Sequence, residues 1–306
     1  QVELLVSGSQ SEIQLPFPIK YKLAGLSFIF GKKGGIDYKQ TWKRNSLARL
    51  FKEIKDLPVK DYDLVISDFE PVSAWSSLIK SVPCYSLSHQ AALLSKHSPR
   101  PFIADPIGSA ILKFYAPSPH KHGFHFQPYD KNIWCPRIRP EVKNLNPTNK
   151  GYYVVYLPAY GEEQTIEVLN QIPHKFWYVF SKHSHRIYQS GNVFVRPVDS
   201  ELFIQAMADC EGVLSGAGFE TPAEALYLGK KLMVVPMKGQ YEQKLNALAL
   251  KDLGVPVIPA LSSNHVDAIW NWVDHGKVIH HDFTGESQDL VDNLLVDFIK
   301  RGMVLK

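Results

Sequence analysis

The chain has 306 residues, too many for one ordinary α/β domain and suited to two of roughly 150 each. Its residues are 45% hydrophobic and 21% charged, which excludes a disordered chain, and the formal net charge of +4 comes without the Lys/Arg stripe that nucleic acid would require. Cys84, Cys135 and Cys210 lie far apart without CxxC spacing, which excludes a disulfide framework and a structural zinc site and points to a reducing compartment.

No apolar run approaches the ~20 residues of a membrane span, and the start carries neither the basic nor the long apolar region of a signal peptide. The expectation is a cytoplasmic protein, peripheral to a membrane where it meets one. Residues 2–6 read as a short buried strand ending at Ser7-Gly8-Ser9, and 31–35 as a glycine loop. A helix is expected over 41–57, with Leu47, Leu50, Phe51 and Ile54 on one face. A second buried strand at 63–68 ends in Asp68. A helix over 74–80 and a strand over 83–88 follow, an alternation that implies parallel pairing.

Between 117 and 149 the pattern dissolves into a Pro-rich segment with many His, Lys and Asn, expected to be the interdomain connection. Alternation then resumes. Strands are expected at 152–157, 175–180, 193–196, 212–215, 232–235 and 255–258. Helices are expected at 165–171, 200–208, 222–228, 241–253, 264–274 and 288–300, with Asp199 or Ser200 capping the second. Two Rossmann-like α/β domains in tandem result: 1–135, 136–285, and a final segment 286–306.

The chemistry concentrates between 214 and 246. A buried strand ends in the small loop Ser215-Gly216-Ala217-Gly218, and a helix begins soon after. Small residues let a ligand approach the backbone, and free N–H groups at a helix start favour an anion such as a diphosphate. Thr221 reads as the cap, Pro222 as the first helical residue and Glu224 as a first-turn carboxylate that accepts two ribose hydroxyls. After the strand at 232–235 the chain brings Gln240, Glu242 and Gln243 to the same sheet edge. Singly, each of these residues is an ordinary strand end or helix capper; the ordered set is the signal.

This set resembles the donor-binding signature of GT-B-fold nucleotide-diphospho-sugar glycosyltransferases, the superfamily of the UDP-glycosyltransferases and of the peptidoglycan N-acetylglucosaminyltransferase. Over the whole chain, Phe30-Gly-Lys-Lys-Gly-Gly-Ile-Asp37, Ser88-His-Gln90 and His125-Phe-Gln-Pro-Tyr-Asp130 are similar to a bacterial and archaeal branch of it. The resemblance implies two domains facing a cleft, with the last helix returned to the first domain. It implies a UDP-sugar donor with no separate cofactor and no protein-held metal. Ser215, Gly216, Ala217 and Gly218 would line the diphosphate, Glu224 would hold the ribose, Glu242 and Gln243 the sugar, and Val198 would flank the base. Many relatives carry His where Gly216 stands, so counter-charge must come from backbone N–H groups and a Lys or Arg elsewhere. The chain also opens at what matches the family's second strand, so the first sheet is expected without its usual first strand and glycine loop, the segment that often carries the general base.

For the base, Asp68 and His89 end neighbouring strands, where a His–carboxylate pair would serve. The plain alternative is that Asp68 caps the following helix and His89 bonds backbone. His120, His122 and His125 have metal-like spacing but no acidic or Cys partners, and read as solvated or hinge-packing. His183 and His185, with Lys182 and Arg186, offer counter-charge for a diphosphate but read first as a solvated loop. Lys32, Lys33, Lys39, Lys43 and Arg44 with Phe28, Phe30 and Trp42 form either a solvated helix face or an acceptor-side region suited to an anionic lipid surface or a phosphorylated acceptor, in keeping with a lipid-linked or membrane-proximal partner. The expected activity is sugar transfer from a UDP-linked donor to an acceptor hydroxyl with inversion. The rivals are a GT-B nucleotide-sugar epimerase or hydrolase and a non-catalytic nucleotide-sugar-binding module.

Overall fold

The structure, a computed structural model, describes residues 1–8, 17–26, 43, 45–283, 285 and 287–303. The glycine loop at 31–35, the 30–37 motif and, Lys43 apart, the basic and aromatic cluster of 28–44 lie outside the described residues.

Strand β1 (Leu4–Ser7) pairs in parallel with β2 (Ile19–Leu23). The strand expected at 2–6 therefore starts later, and it is only partly buried, with Val2 exposed. Helix α1 (Leu47–Asp56) begins after Ser46, which caps it with its side chain accepting the Arg49 N–H, and of the expected 41–57 the residues 41, 42 and 44 lie outside the described residues. Only Leu50 and Ile54 of its expected face are buried, packed with Leu57, Val59 and Val72, while Leu47 and Phe51 are exposed.

The first sheet orders β3 (Val65–Ser67), β4 (Cys84–Ser88), β5 (His120–Phe124) and β6 (Ile133–Trp134), all parallel. Between them run α2 (Pro71–Lys80), α3 (His89–Leu93) and α4 (Pro106–Phe114). The segment expected to be irregular from 117 onward thus carries two strands of this sheet. Its histidines hide the pattern because they act as aromatic packing groups. His122 lies 5.3 Å from Trp134 and 5.4 Å from Tyr85, and His125 lies 4.8 Å from Tyr129. Both are buried rather than solvated, and burial, with His89 beside it, pushes the His125 ring down to about 2, so it is neutral.

The chain crosses to the second half through α5 (Pro140–Lys143). The second sheet contains β7 (Tyr152–Tyr156), β8 (Phe176–Ser181), β9 (Tyr188–Ser190), β10 (Val193–Pro197), β11 (Gly212–Gly216) and β12 (Lys231–Val235). Its order is β12-β11-β7-β8-β10-β9. Every pairing is parallel except the β9–β10 hairpin, which the sequence pattern does not reveal. The strand expected at 255–258 is reduced to one bridge, Val234 to Val257. Helices α6 (Glu162–Leu169), α7 (Ser200–Asp209), α8 (Glu220–Tyr227), α9 (Tyr241–Asp252) and α10 (Val266–His275) cover the two faces. One core gathers around Met207, Leu226 and Leu250 and the other around Trp177, Leu214 and Trp272. Buried β-branched and aromatic runs on both faces are what a covered parallel sheet demands.

The last helix, α11 (Ser287–Lys300), sets Leu294 and Phe298 on Tyr85 of β4, and the Tyr85 hydroxyl donates to Asp297 Oδ2 at 2.9 Å. Each of those two apolar side chains contributes roughly 1.5–3 kcal/mol by burial. The chain's end is therefore tied to the first sheet.

Candidate functional site

Three residues after β3 set one wall of the site. Phe69 has φ +51, a left-handed backbone that strains a bulky residue, and its ring stacks on Tyr115 at 4.8 Å. Glu70 caps α2, accepting from the N–H groups of Val72 at 2.8 Å and Ser73 at 2.6 Å, and from the Ser7 hydroxyl at 2.7 Å. The capping role open to Asp68 is thus taken by Glu70. Asp68 instead lines a cavity of about 480 Å³ at the seam between the two sheets. It is open to solvent there but walled by protein and faced by like charge. Desolvation, then Glu220 and Glu242, push its carboxyl up to about 6.

His89 begins α3 rather than ending β4, and Ser88 caps that helix through the Ala91 N–H. Both ring nitrogens of His89 are engaged. Nδ1 donates to the Phe124 carbonyl at 2.8 Å, and Nε2 is hydrogen-bonded to Asn246 Oδ1 at 2.7 Å. Its ring stacks on Phe219 at 4.0 Å, nearly parallel. The expected Asp68–His89 pair is therefore corrected: both residues border the cavity, but His89 spends its hydrogen bonds bracing the two halves together. Beside it, Gln90 Nε2 donates to Glu242 Oε2 at 3.0 Å, a second tie across the seam.

The opposite wall comes from β11 and α8. Ser215 and Ala217 are fully buried, backbone included; of the loop, Gly218 reaches the cavity. A Cβ at Gly218 would meet nothing within 4 Å, whereas one at Gly216 would touch Gln243 at 3.5 Å. Asn246 Nδ2 donates to the Ala217 carbonyl at 3.1 Å, so His89, Asn246 and the loop form one chain of contacts. Glu242 lines the cavity, but Gln243 does not: its Oε1 accepts the Met237 N–H at 2.9 Å, which fixes the loop after β12. Val198 is exposed just past β10 and borders none of these cavities.

Helix α8 starts after Phe219 without a side-chain cap, so Thr221 is not its cap, Pro222 is not its first residue, and Glu224 falls in the second turn. Glu224 is 5% exposed and lies under Arg139 from the interdomain crossing. Arg139 Nε donates to Glu224 Oε1 at 2.6 Å and Nη2 to Oε2 at 3.1 Å, a bidentate pair. Burial pushes the Glu224 carboxyl up while Arg139 pulls it down. The pair borders a second cavity of about 170 Å³, which shares Arg137, Phe219 and Glu220 with the larger one.

Arg139, Asn246, Phe219 and Glu220 are site residues that sequence reading missed. Asn246 was findable, since it stands one turn beyond Glu242 and Gln243 on the same helix. Among the described residues no group of three or more His, Cys, Asp or Glu is placed to hold a metal ion.

Two α/β domains that meet at a cleft lined from both sides, with a small-residue loop at a helix start, make a GT-B fold. The family model for Glycosyl transferase family 1 matches residues 36–272, and the chain belongs to that family. Solved structures share the fold. Phytolacca americana UGT2, complexed with UDP-2fluoro-glucose and pterostilbene, superposes with a TM-score of 0.53 at 12% identity, covering 85% of this chain and 81% of that one. Os79 from O. sativa, in complex with UDP, gives 0.52 at 12% identity over 78% and 75% of the two chains. No curated protein matches the chain in sequence.

Proposed function

We propose that this chain transfers a hexosyl group from a UDP-linked sugar to an acceptor hydroxyl, with inversion at the anomeric carbon. The observation that carries the reading is the seam cavity, in which Asp68 from one sheet faces Gly218 and Glu242 from the other. The donor's diphosphate would lie along Gly218 and the start of α8, with the ribose toward Glu224 and the sugar against Glu242. Asp68 would take the acceptor O–H proton as that oxygen attacks the anomeric carbon, and the bond from that carbon to the diphosphate breaks in the same step. A single displacement by an acceptor on the side opposite the leaving group inverts the centre. His89 would hold the loop in place through Asn246 rather than move a proton.

The test uses the open space at Gly218. Gly218→Val leaves the fold intact, because its Cβ has no neighbour within 4 Å, but it fills the room the diphosphate needs. Calorimetric titration should show UDP binding to the wild type and at least about tenfold weaker binding to the variant. Equal affinity, or no UDP binding by the wild type, removes the donor assignment. Product analysis with donor alone separates the transferase from an epimerase or hydrolase, which turn over without an acceptor.

The acceptor side supports a lipid-linked, membrane-proximal substrate. Phe102, Ile103, Ile107, Ile111 and Phe114 are all exposed along α4 and the turn before it, with Phe102 fully so. Lys96, Arg100 and Lys113 are exposed at the edges of this strip. Its one acid, Asp105, is turned inward onto the Gly108 N–H. An apolar strip with a cationic rim fits the surface of an anionic bilayer. Helix α4 packs against Tyr241 and Leu245 of α9, next to Glu242, so a bilayer there lies beside the cleft. No helix among the described residues is long and apolar enough to cross a membrane. The three free cysteines support a cytoplasmic setting.

A further inference from the structure

The loop Ser215-Gly216-Ala217-Gly218 has no cationic side chain of its own. The carboxylate meant for the ribose is meanwhile covered by an arginine. We propose that Arg139 is a donor-binding residue that changes partner: it leaves Glu224 for the diphosphate as the nucleotide enters, and Glu224 then receives the ribose hydroxyls. The proposal rests on the donor reading above and adds a residue to it.

The exchange conserves hydrogen bonds. Glu224 now accepts two N–H donors from one planar guanidinium, and the vicinal hydroxyls of a ribose supply two O–H donors to the same two oxygens. A buried carboxylate left without donors would be strongly disfavoured, so the swap has to be concerted with entry of the sugar. The released guanidinium needs an anion, and its fork matches two oxygens of a phosphate as well as it matches a carboxylate.

The partner placed to move is the arginine. Its side chain is 42% exposed against 6% for Glu224, and it stands on extended backbone immediately before Pro140 opens α5. Glu220 and Glu141 add negative charge around Arg139 beside that of Glu224. The way is short, because Phe219 and Glu220 border both the small cavity under Arg139 and the large one that Gly218 faces.

The experiment compares UDP with uridine, which shares the ribose but lacks the diphosphate, by calorimetric titration of wild type, Arg139→Gln and the double variant Arg139→Gln with Glu224→Gln. Arg139→Gln should weaken UDP by about tenfold to a hundredfold while uridine binds as well as or better than to the wild type. The double variant, which leaves no buried unpaired charge, is read against Glu224→Gln alone and should show the same selective loss for UDP should the single variant fail to fold. Loss of UDP and uridine by one common factor overturns the exchange and leaves the donor site standing. A wild type that binds neither overturns both.

Discussion

The protonation of Asp68 is testable without knowing the acceptor. Its carboxyl is pushed up to about 6 from an ordinary 3.8, so the folded protein holds that proton more tightly than the unfolded chain does. The sign follows from linkage: between about pH 4 and 6 the folded state binds more protons, so this group takes stability away as pH rises through that window. A shift of that size corresponds to at most about 3 kcal/mol. The carboxylate faces solvent in an open cleft, and screening there reduces the expected effect to about 1 kcal/mol. Asp68→Asn removes the titrating group. Relative to the wild type, the variant should gain about 1 kcal/mol at pH 8 compared with pH 4, measured by urea denaturation at the two pH values. A stability difference that does not change with pH, or one that changes in the opposite direction, refutes the reasoning. The same substitution should cut transfer by roughly 10²- to 10⁴-fold once an acceptor is in hand, as loss of a general base does.

Asn246→Ala strips the Ala217 carbonyl of a donor and His89 Nε2 of its partner, both buried. The denaturation midpoint should fall by an amount equivalent to about 2–3 kcal/mol, and a change below about 0.5 kcal/mol would show that the chain of contacts contributes nothing. Flotation with vesicles should carry the wild type with anionic lipid and much less with zwitterionic lipid. Phe102→Asp combined with Ile107→Asp should abolish the difference, and a wild type that stays in solution with both lipids would end the bilayer reading.

The second half is largely legible in the sequence because its sheet is covered on both faces. Tyr152–Tyr156 and Lys231–Val235 are nearly continuous apolar runs, which only a buried strand needs, and Gly216, the last residue of β11, with Gly218 marks where that strand stops. The first half obeys a different rule. Its strand β5 reads His-Lys-His-Gly-Phe, a polar string by composition, and becomes a strand because Tyr85 and Trp134 offer ring faces on which His122 packs. Hydrophobic periodicity does not register an imidazole used as an aromatic. The edge strand β9 escapes for a related reason: three residues of mixed polarity carry no period.

Within the site, the residues fail to be legible wherever one carboxylate does what another nearby was equally able to do. Asp68 and Glu70 both stand where a helix cap belongs, and only the left-handed turn at Phe69 decides that Glu70 caps α2 while Asp68 is aimed into the cleft. Glu220 and Glu224 are one turn apart on α8, and the absence of a cap at Phe219 starts the helix early, which moves Glu224 out of its first turn and under Arg139. Both choices depend on backbone geometry at a single residue next to the helix start, a scale at which residue type sets a preference and tertiary packing sets the outcome. The arginine follows from the same shift. Once Glu224 is buried its charge must be paired, and the nearest cation is supplied by the crossing that joins the domains. The buried carboxylate of α8 and the crossing that joins the two domains are therefore held together by one ion pair.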